Sequence, residues 1–417
     1  MNHPLFGLFG VAAILGIAFL LSNNKKGIRL RAVLPAFALQ VGIAVFVLFT
    51  PWGKSVLETM SIGFQSLLDY SNEGINFLFG SLVPDVANKE FSFLVLVLPV
   101  IVFFGALMEV LYHLGIMQLI VKILGRALQF ITKTRPVESL NAVANVFVGQ
   151  TEAPLSLKPY LPSISKFELF TLMVSGLASI AGSVLLGYIA MGINPEYLIA
   201  ACFMSAPAAL LMAKIIMPDP APTEEDAKAV YAMGEAKEDR HRNVIMAAAI
   251  GTQQGLKLAV NVGAMVLVFV ALIALVNGLL GWVGGLVGYE DISLQMILGY
   301  IFAPLMALLN VPWNETVQAG AIFGEKIVTN EFIAYISLSE IQDTLSPTTV
   351  VVLIFALCGF ANLSSIGILL GGLGTLIPDR MPDIAEMGVK AVIAASLANL
   401  LNAAIAGILV GLGGAIG

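Results

Sequence analysis

Charge is scarce in this chain. Of its 417 residues only 12% are Asp, Glu, Lys or Arg, about half the share of an ordinary soluble domain. Its three histidines, His3, His113 and His241, are scattered, and neither an HExxH zinc pair nor a GxSxG nucleophile turn is present. The two cysteines, Cys202 and Cys358, sit in apolar runs and match no zinc or redox spacing, so they read as packing residues. No ten-residue alternation of an outer-membrane barrel occurs, and no small-residue cleavage site follows the first apolar run, which therefore reads as a retained helix.

Apolar residues are what the chain has instead. They make 58% of it, and the mean hydropathy is +0.93. Several runs reach the roughly 20 residues that cross a hydrocarbon core as a helix. The class is an all-α polytopic membrane protein. Spans are expected at about 4–22, 32–50, 91–112, 167–191, 196–217, 257–280, 348–376 and 388–415. Lys25, Lys26, Arg29 and Arg31 after the first span put that loop in the cytoplasm and the N-terminus outside. The segment 51–90, with Glu58, Asp69, Glu73, Asp85 and Glu90 against Lys54 and Lys89, is then external, its apolar middle suited to an interfacial helix. Lys122, Arg126, Lys133 and Arg135 mark a return inside, as do Lys228, Lys237, Arg240 and Arg242 in the hydrophilic linker 218–243 and Arg380 and Lys390 late in the chain. Both termini end outside.

Two segments do not cross plainly. Residues 137–165 break at Gly149–Pro154, where Gln150, Thr151 and Glu152 stand together, and exit through Pro159 and Pro162; residues 313–345 break at Thr329–Phe332 beside Glu331. Each fits a re-entrant hairpin. Free backbone at membrane depth must be satisfied by protein, a water-filled cavity or ligand. Each hairpin is followed by a Gly-x-Ala-polar stretch, Gly176-Leu177-Ala178-Ser179 and Gly359-Phe360-Ala361-Asn362. The hairpins start from opposite sides of the membrane, so the repeat is inverted, and inverted repeats with broken helices are the build of secondary transporters. Eight transmembrane helices plus two hairpins account for the chain.

The polar residues also have plain readings. Glu152 and Glu331 could cap helix N-termini, where the dipole favours a carboxylate; Ser179, Ser183, Ser364 and Ser365 could bond the preceding turn or allow close packing. Two carboxylates at equivalent breaks argue for function. Asn145 and Asn362 carry amides with four hydrogen-bonding positions to fill. The glycine-rich runs at 371–374 and 411–417 follow no strand and read as helix contacts.

Four stretches resemble the signatures of the concentrative nucleoside transporters: Gly149-Gln150-Thr151-Glu152-Ala153-Pro154-Leu155, Ser179-Ile180-Ala181-Gly182-Ser183, Asn330-Glu331-Phe332 with Ala334-Tyr335, and Ala356 to Gly367. The resemblance runs from about residue 90 to the C-terminus and is similar to the bacterial branch. It implies a homotrimer in the bacterial inner membrane, contacting lipid and nucleosides and no nucleic acid. Scaffold segments would be 1–135 and 256–311, transport repeats 136–217 and 312–417, and the cytoplasmic linker with the start of the next helix 218–255. By the same resemblance Gln150, Thr151 and Glu152 face the nucleobase, Glu331, Asn362 and Ser365 hold the ribose, and Val184 and Phe360 pack on the ligand. The coupling ion would be sodium, held by the side chains of Asn145 and Ser179 and the carbonyls of Val148 and Ile180, with no organic cofactor. A proton-coupled symporter and an intramembrane hydrolase using the two carboxylates are the alternatives.

Overall fold

The computed structural model describes residues 4–84, 92–158, 160–220, 241–286, 288 and 292–414. Asp85, Lys89, Glu90, Pro159, Lys228, Lys237, Arg240 and the last residues of the glycine-rich tail lie outside the described residues. The described chain is helical throughout: α1 Pro4–Leu20, α2 Leu30–Phe49, α3 Pro51–Phe79, α4 Phe93–Leu96, α5 Leu98–His113, α6 Ile116–Thr132, α7 Pro136–Phe147, α8 Lys166–Ala178, α9 Gly182–Ala190 and α10 Pro195–Ile216. There follow α11 Val244–Leu286, α12 Leu294–Leu308, α13 Thr316–Val328, α14 Glu331–Ile341, α15 Pro347–Leu357, α16 Ser364–Leu376 and α17 Met381–Leu409.

Local chemistry sets these boundaries. Thr50 caps α3 by accepting from the Gly53 amide at 3.1 Å, and the helix ends at Gly80, whose φ of +51° suits glycine. The segment expected to be external is thus, over Pro51–Phe79, one 29-residue helix with Leu57, Leu68 and Ile75 on its buried face. Both repeats open their second helix in the same way: Ser165 accepts from Glu168 N at 3.2 Å ahead of α8, and Ser346 accepts from Thr349 N at 3.4 Å ahead of α15. Both second helices then stop early. α8 gives way at Ser179 and resumes as α9; α15 gives way at Cys358 and resumes as α16.

Three expected boundaries move. The span placed at about 257–280 is α11, 43 residues long from Val244, because Gln253, Gln254 and Lys257 dilute the hydropathy of its first turns without breaking the helix. The last span begins at Met381 rather than near 388; its polar first turns are held by Arg380 Nε donating to Asp383 at 2.7 Å and Lys166 Nζ to Glu386 at 2.7 Å, and Lys390 lies within the helix. In the first hairpin the returning limb is two 3-10 turns, 153–157 and 161–163, since Pro154 and Pro162 remove amide donors. The Gly-x-Ala stretches also differ in register. Gly176 is inside α8, whereas Gly359 lies beyond the end of α15, so the repeats superpose by helix ends and not by that motif.

Packing separates two bodies around the hairpins. α17 runs through the centre against α8, α10 and α15, with α1 and α2 laid on α10 and α17; Gln40 Nε2 donates to Asn402 Oδ1 at 2.6 Å across the second of these contacts. The second body is the pair α5 and α11. Its axes approach closely through Gly105, Gly251 and Gly255: a Cβ on Gly255 would lie 2.9 Å from the Val102 backbone. Whereas 94% of the residues in the apolar stretch of α10 are buried within the chain, only 17% of those in the apolar stretch of α11 are, and its outward Leu267, Leu275, Trp282 and Val283 are left for lipid or another protein surface.

A buried ion network roots the first hairpin. Lys214 of α10 bridges Glu138 of α7 and Asp219, the latter at 2.9 Å, and Arg29 reaches Asp219 from the other side at 3.0 Å. Removing one member of such a network leaves uncompensated charge in a dry interior. Lys214→Ala is expected to lower stability by roughly 3–5 kcal/mol, and adding Glu138→Gln to recover part of it. Thermal unfolding in detergent measures both; an unchanged midpoint for Lys214→Ala would show that the network carries no stability.

Candidate functional site

The second hairpin turns at Thr329 and Asn330. Asn330 adopts an extended backbone and caps α14, its Oδ1 accepting from Ile333 N at 3.0 Å. Glu331 is therefore the first helical residue, and its carboxylate sits at the positive end of the helix. The side chain is 3% exposed. Two neutral donors hold it: Asn362 Nδ2 to Oε2 at 3.0 Å and Tyr188 Oη to Oε1 at 3.3 Å. Asn362 is fixed in turn, because its Oδ1 accepts from Ser365 N at 2.9 Å, Ser365 Oγ at 3.0 Å and Ser364 Oγ at 2.7 Å. Asn362 occupies the break ahead of α16, so hairpin and broken helix meet through a carboxylate and an amide. A carboxylate held by two donors keeps acceptor positions to offer.

The first hairpin turns through Gly149 to Glu152, with Ala153 N bonded to Gly149 O at 3.0 Å. Gln150 is buried and its Oε1 has no hydrogen-bond partner among the described residues; Glu152 is exposed. Behind the turn the C-terminal ends of α7 and α8 converge. Asn145 Nδ2 donates to Asn141 O at 2.8 Å, which leaves Asn145 Oδ1 buried without a partner. Ser179 Oγ donates to Ser175 O at 3.0 Å, so the hydroxyl keeps free lone pairs. Oxygen atoms and negative dipole ends gathered in a dry pocket suit a small hard cation.

These elements line a single cavity of about 1260 Å³ between the hairpins and the α5–α11 pair. Gln150, Thr151, Glu152, Val184, Glu331, Phe360, Asn362 and Ser365 all reach it. Val148 also lines it, whereas Asn145, Ser179 and Ile180 lie behind, at 1%, 2% and 0% exposure. The far wall carries Glu109 of α5 and Gln254, Lys257 and Asn261 of α11. At its rim His241 Nε2 meets Glu109 Oε1 at 2.6 Å, and the His113 and His241 rings stack with centroids 6.4 Å apart.

Two residues were not singled out in the sequence. Tyr188 lies in the apolar run of α9, its ring tilted by 32° against that of Tyr335 with centroids 4.2 Å apart; its hydroxyl needs a partner when buried, which was the available signal. Lys326 is fully buried one turn before the second hairpin's tip; an ionisable residue at that depth is itself a flag.

Broken helices from two repeats meeting at one cavity define a secondary transporter. The comparisons with known proteins narrow that class. Family models described as the N-terminus and C-terminus of a Na+ dependent nucleoside transporter match residues 9–82 and 197–407, and a nucleoside recognition model, Gate, matches 94–195. The chain is 48% identical over 98% of its length, and 100% of the relative's, to the uncharacterized transporter YutK of Bacillus subtilis. To the nucleoside permease NupC of Helicobacter pylori it is 44% identical, covering 98% of both. Among solved structures, CNTnw in an inward-facing substrate-bound state matches with a TM-score of 0.93 at 45% identity, covering 99% of both chains. A doubly substituted CNTnw in an outward-facing state matches with the same score, identity and coverage. The chain belongs to the concentrative, Na+ dependent nucleoside transporter family. Its relatives are transporters and not enzymes, and hydrolysis at Glu152 and Glu331 drops out.

The geometry orders these positions by access. With native Cys202 and Cys358 2% and 1% exposed, Glu152→Cys should react rapidly with a polar maleimide in detergent, and Asn145→Cys and Ser179→Cys at least about tenfold more slowly, as dry interiors exclude solvent. Equal rates at all three would contradict the layering of a cavity over a buried pocket.

Proposed function

We propose that this protein imports nucleosides across the bacterial inner membrane by sodium symport. The observation that carries the reading is the Glu331 cluster, in which Tyr188, Asn362 and Ser365 orient a buried carboxylate at the cavity wall. Glu331, Asn362 and Ser365 hold the ribose hydroxyls. A site built to hydrogen-bond a hydroxyl rejects an analogue lacking it, because buried groups are then left unpaired. Gln150, Thr151 and Glu152 face the base from the opposite hairpin, with Gln150 Oε1 free to accept an N–H, and Val184 and Phe360 pack on its faces.

The sodium site is the pocket behind the first hairpin: the side chains of Asn145 and Ser179 with the carbonyls of Val148 and Ile180. Its support is the unpartnered Asn145 Oδ1 and the two converging helix ends. An ion there ties the hairpin tip to the α8–α9 break and so orders Gln150 to Glu152. Nucleoside and sodium then tighten one another's binding reciprocally. The repeats 136–217 and 312–417 form the transport domain and slide against α5 and α11, in keeping with a relative solved both inward- and outward-facing. We assign the long exposed face of α11 to lipid and to neighbouring copies in a homotrimer, and both termini to the periplasmic side.

Uptake of labelled uridine and adenosine into proteoliposomes is the test. An inward sodium gradient should drive accumulation and a proton gradient should not; the reverse result would leave the nucleoside site standing and remove the ion assignment. Glu331→Ala should cut uptake by about a hundredfold or more, and wild-type-like uptake by a folded Glu331→Ala protein would remove the ribose assignment. Asn145→Ala, which takes one ligand from the ion, should raise the sodium concentration for half-maximal uptake by about tenfold or more, the loss expected for a hydrogen-bond-scale contact to a charge. An unchanged sodium dependence would overturn that ligand set.

A further inference from the structure

Laid over one another by their helix ends, the two repeats place unlike residues at one position. α7 closes at Val148 and α13 at Thr329; Asn145 and Lys326 each stand three residues before that cap. The helices that follow match as well, with Ser179 capping α8 and Cys358 capping α15. In the first repeat the position presents an acceptor, the buried and unpartnered Oδ1 of Asn145. In the second it presents a donor, the amine of Lys326.

The Lys326 side chain is 0% exposed. Its Nζ donates to the carbonyl of Ala356 at 2.7 Å, in the last turn of α15, and to Asn399 Oδ1 of α17 at 2.9 Å. The last carbonyls of a helix lack intrahelical partners and carry its negative dipole end. Asn399 relays the contact further: its Nδ2 donates to Ala178 O and to Cys358 O, both at 2.7 Å, which are carbonyls at the breaks of both repeats. No ion pair to Lys326 occurs among the described residues. Its partners are neutral oxygens at a helix break, the kind of ligand that the pocket behind the first hairpin offers. A lysine serving only as counterpart to its own helix dipole would turn to its own last carbonyls; this one reaches two other helices.

We propose that the Lys326 ammonium is a tethered cation, joining the second hairpin to the helix breaks permanently where the first repeat uses a free ion for the same joint. The proposal rests on the reading of the Asn145 pocket as the sodium site. Its consequence is that removing the ammonium, while leaving an oxygen in its place, converts the second repeat into a second cation site.

The experiment follows thermal unfolding of the purified full-length protein, without nucleoside, as sodium replaces choline at constant ionic strength. A bound ion raises the midpoint with the logarithm of its concentration. Lys326→Asn and Lys326→Gln should be less stable than wild type in choline and regain stability in sodium, with a slope of midpoint against log sodium about twice the wild-type slope. Lys326→Met should lose stability and show the wild-type slope, having neither ammonium nor replacement oxygen. A wild-type slope in both amide variants overturns the proposal, and so does equal recovery of Lys326→Met, which marks a general salt effect. Failure of both amide variants to fold at any sodium concentration overturns the idea of a replaceable cation. If wild type itself shows no sodium response, the Asn145 assignment falls, and a sodium response confined to the amide variants still identifies the Lys326 position as a cation site.

Discussion

Backbone groups freed where a helix stops inside the membrane need partners there, and this constraint organises the structure. Hydrocarbon supplies none. The chain interrupts itself at two hairpin tips and at the α8–α9 and α15–α16 breaks, and it resolves the resulting need by bringing the interruptions together. Phe360 N donates to Ser179 O at 3.3 Å, and Leu363 N to Ile327 O at 3.3 Å. Asn399 takes a carbonyl from each repeat. The cost of stopping four helical runs is offset collectively at one place, so the site is where the fold's polar requirements converge.

The same convergence decides what the site can do. Apart from Lys326 and Glu331, the groups that meet at the breaks are neutral amides, hydroxyls and helix ends, and these also suit a polyhydroxylated ligand and a small cation. The buried ion network is kept apart from it: Lys214, Glu138, Asp219 and Arg29 lock the root of the first hairpin to α10, away from the cavity wall, while Glu109 and His241 meet at the cavity rim. The α5–α11 pair contributes apolar side chains such as Ile101, Met108 and Leu258 together with Glu109, Gln254, Lys257 and Asn261, on two unbroken helices. A body held by its own internal network, facing a neighbour that shares little of it, is able to shift against that neighbour without losing its polar partners.

Much of this was legible in residue types. Prolines and glycines beside carboxylates announce hairpins, and the apolar runs announce spans. The eight residues assigned to the ligand all reach one cavity, and their motifs sit at or beside the four interruptions, which meet there. Helix ends were less legible. Hydropathy falls where Gln254 and Lys257 begin to line the cavity, yet the backbone of α11 continues through them. The Gly-x-Ala match misled because glycine serves two purposes: Gly176 admits Gln150 against α8, and Gly359 admits Asn399 beside a break. Tyr188 escaped notice since a tyrosine in an apolar run resembles core until its hydroxyl is seen on Glu331.

The two repeats have also diverged at equivalent joints, and the divergence has a physical logic. An ion that binds and leaves can report the state of the hairpin it secures; a lysine cannot, and its joint stays made whatever the concentrations outside. On the assignments proposed above, the reporting role falls to the hairpin that carries Gln150 to Glu152 and the permanent role to the one that carries Glu331, which would make the base side of the cavity conditional and the sugar side constant. Ribonucleosides share the ribose and differ in the base. A transporter built this way keeps its common recognition element preformed and lets the cation gradient act on the element that is most exposed, since Glu152 is open to the cavity where Glu331 is 3% exposed.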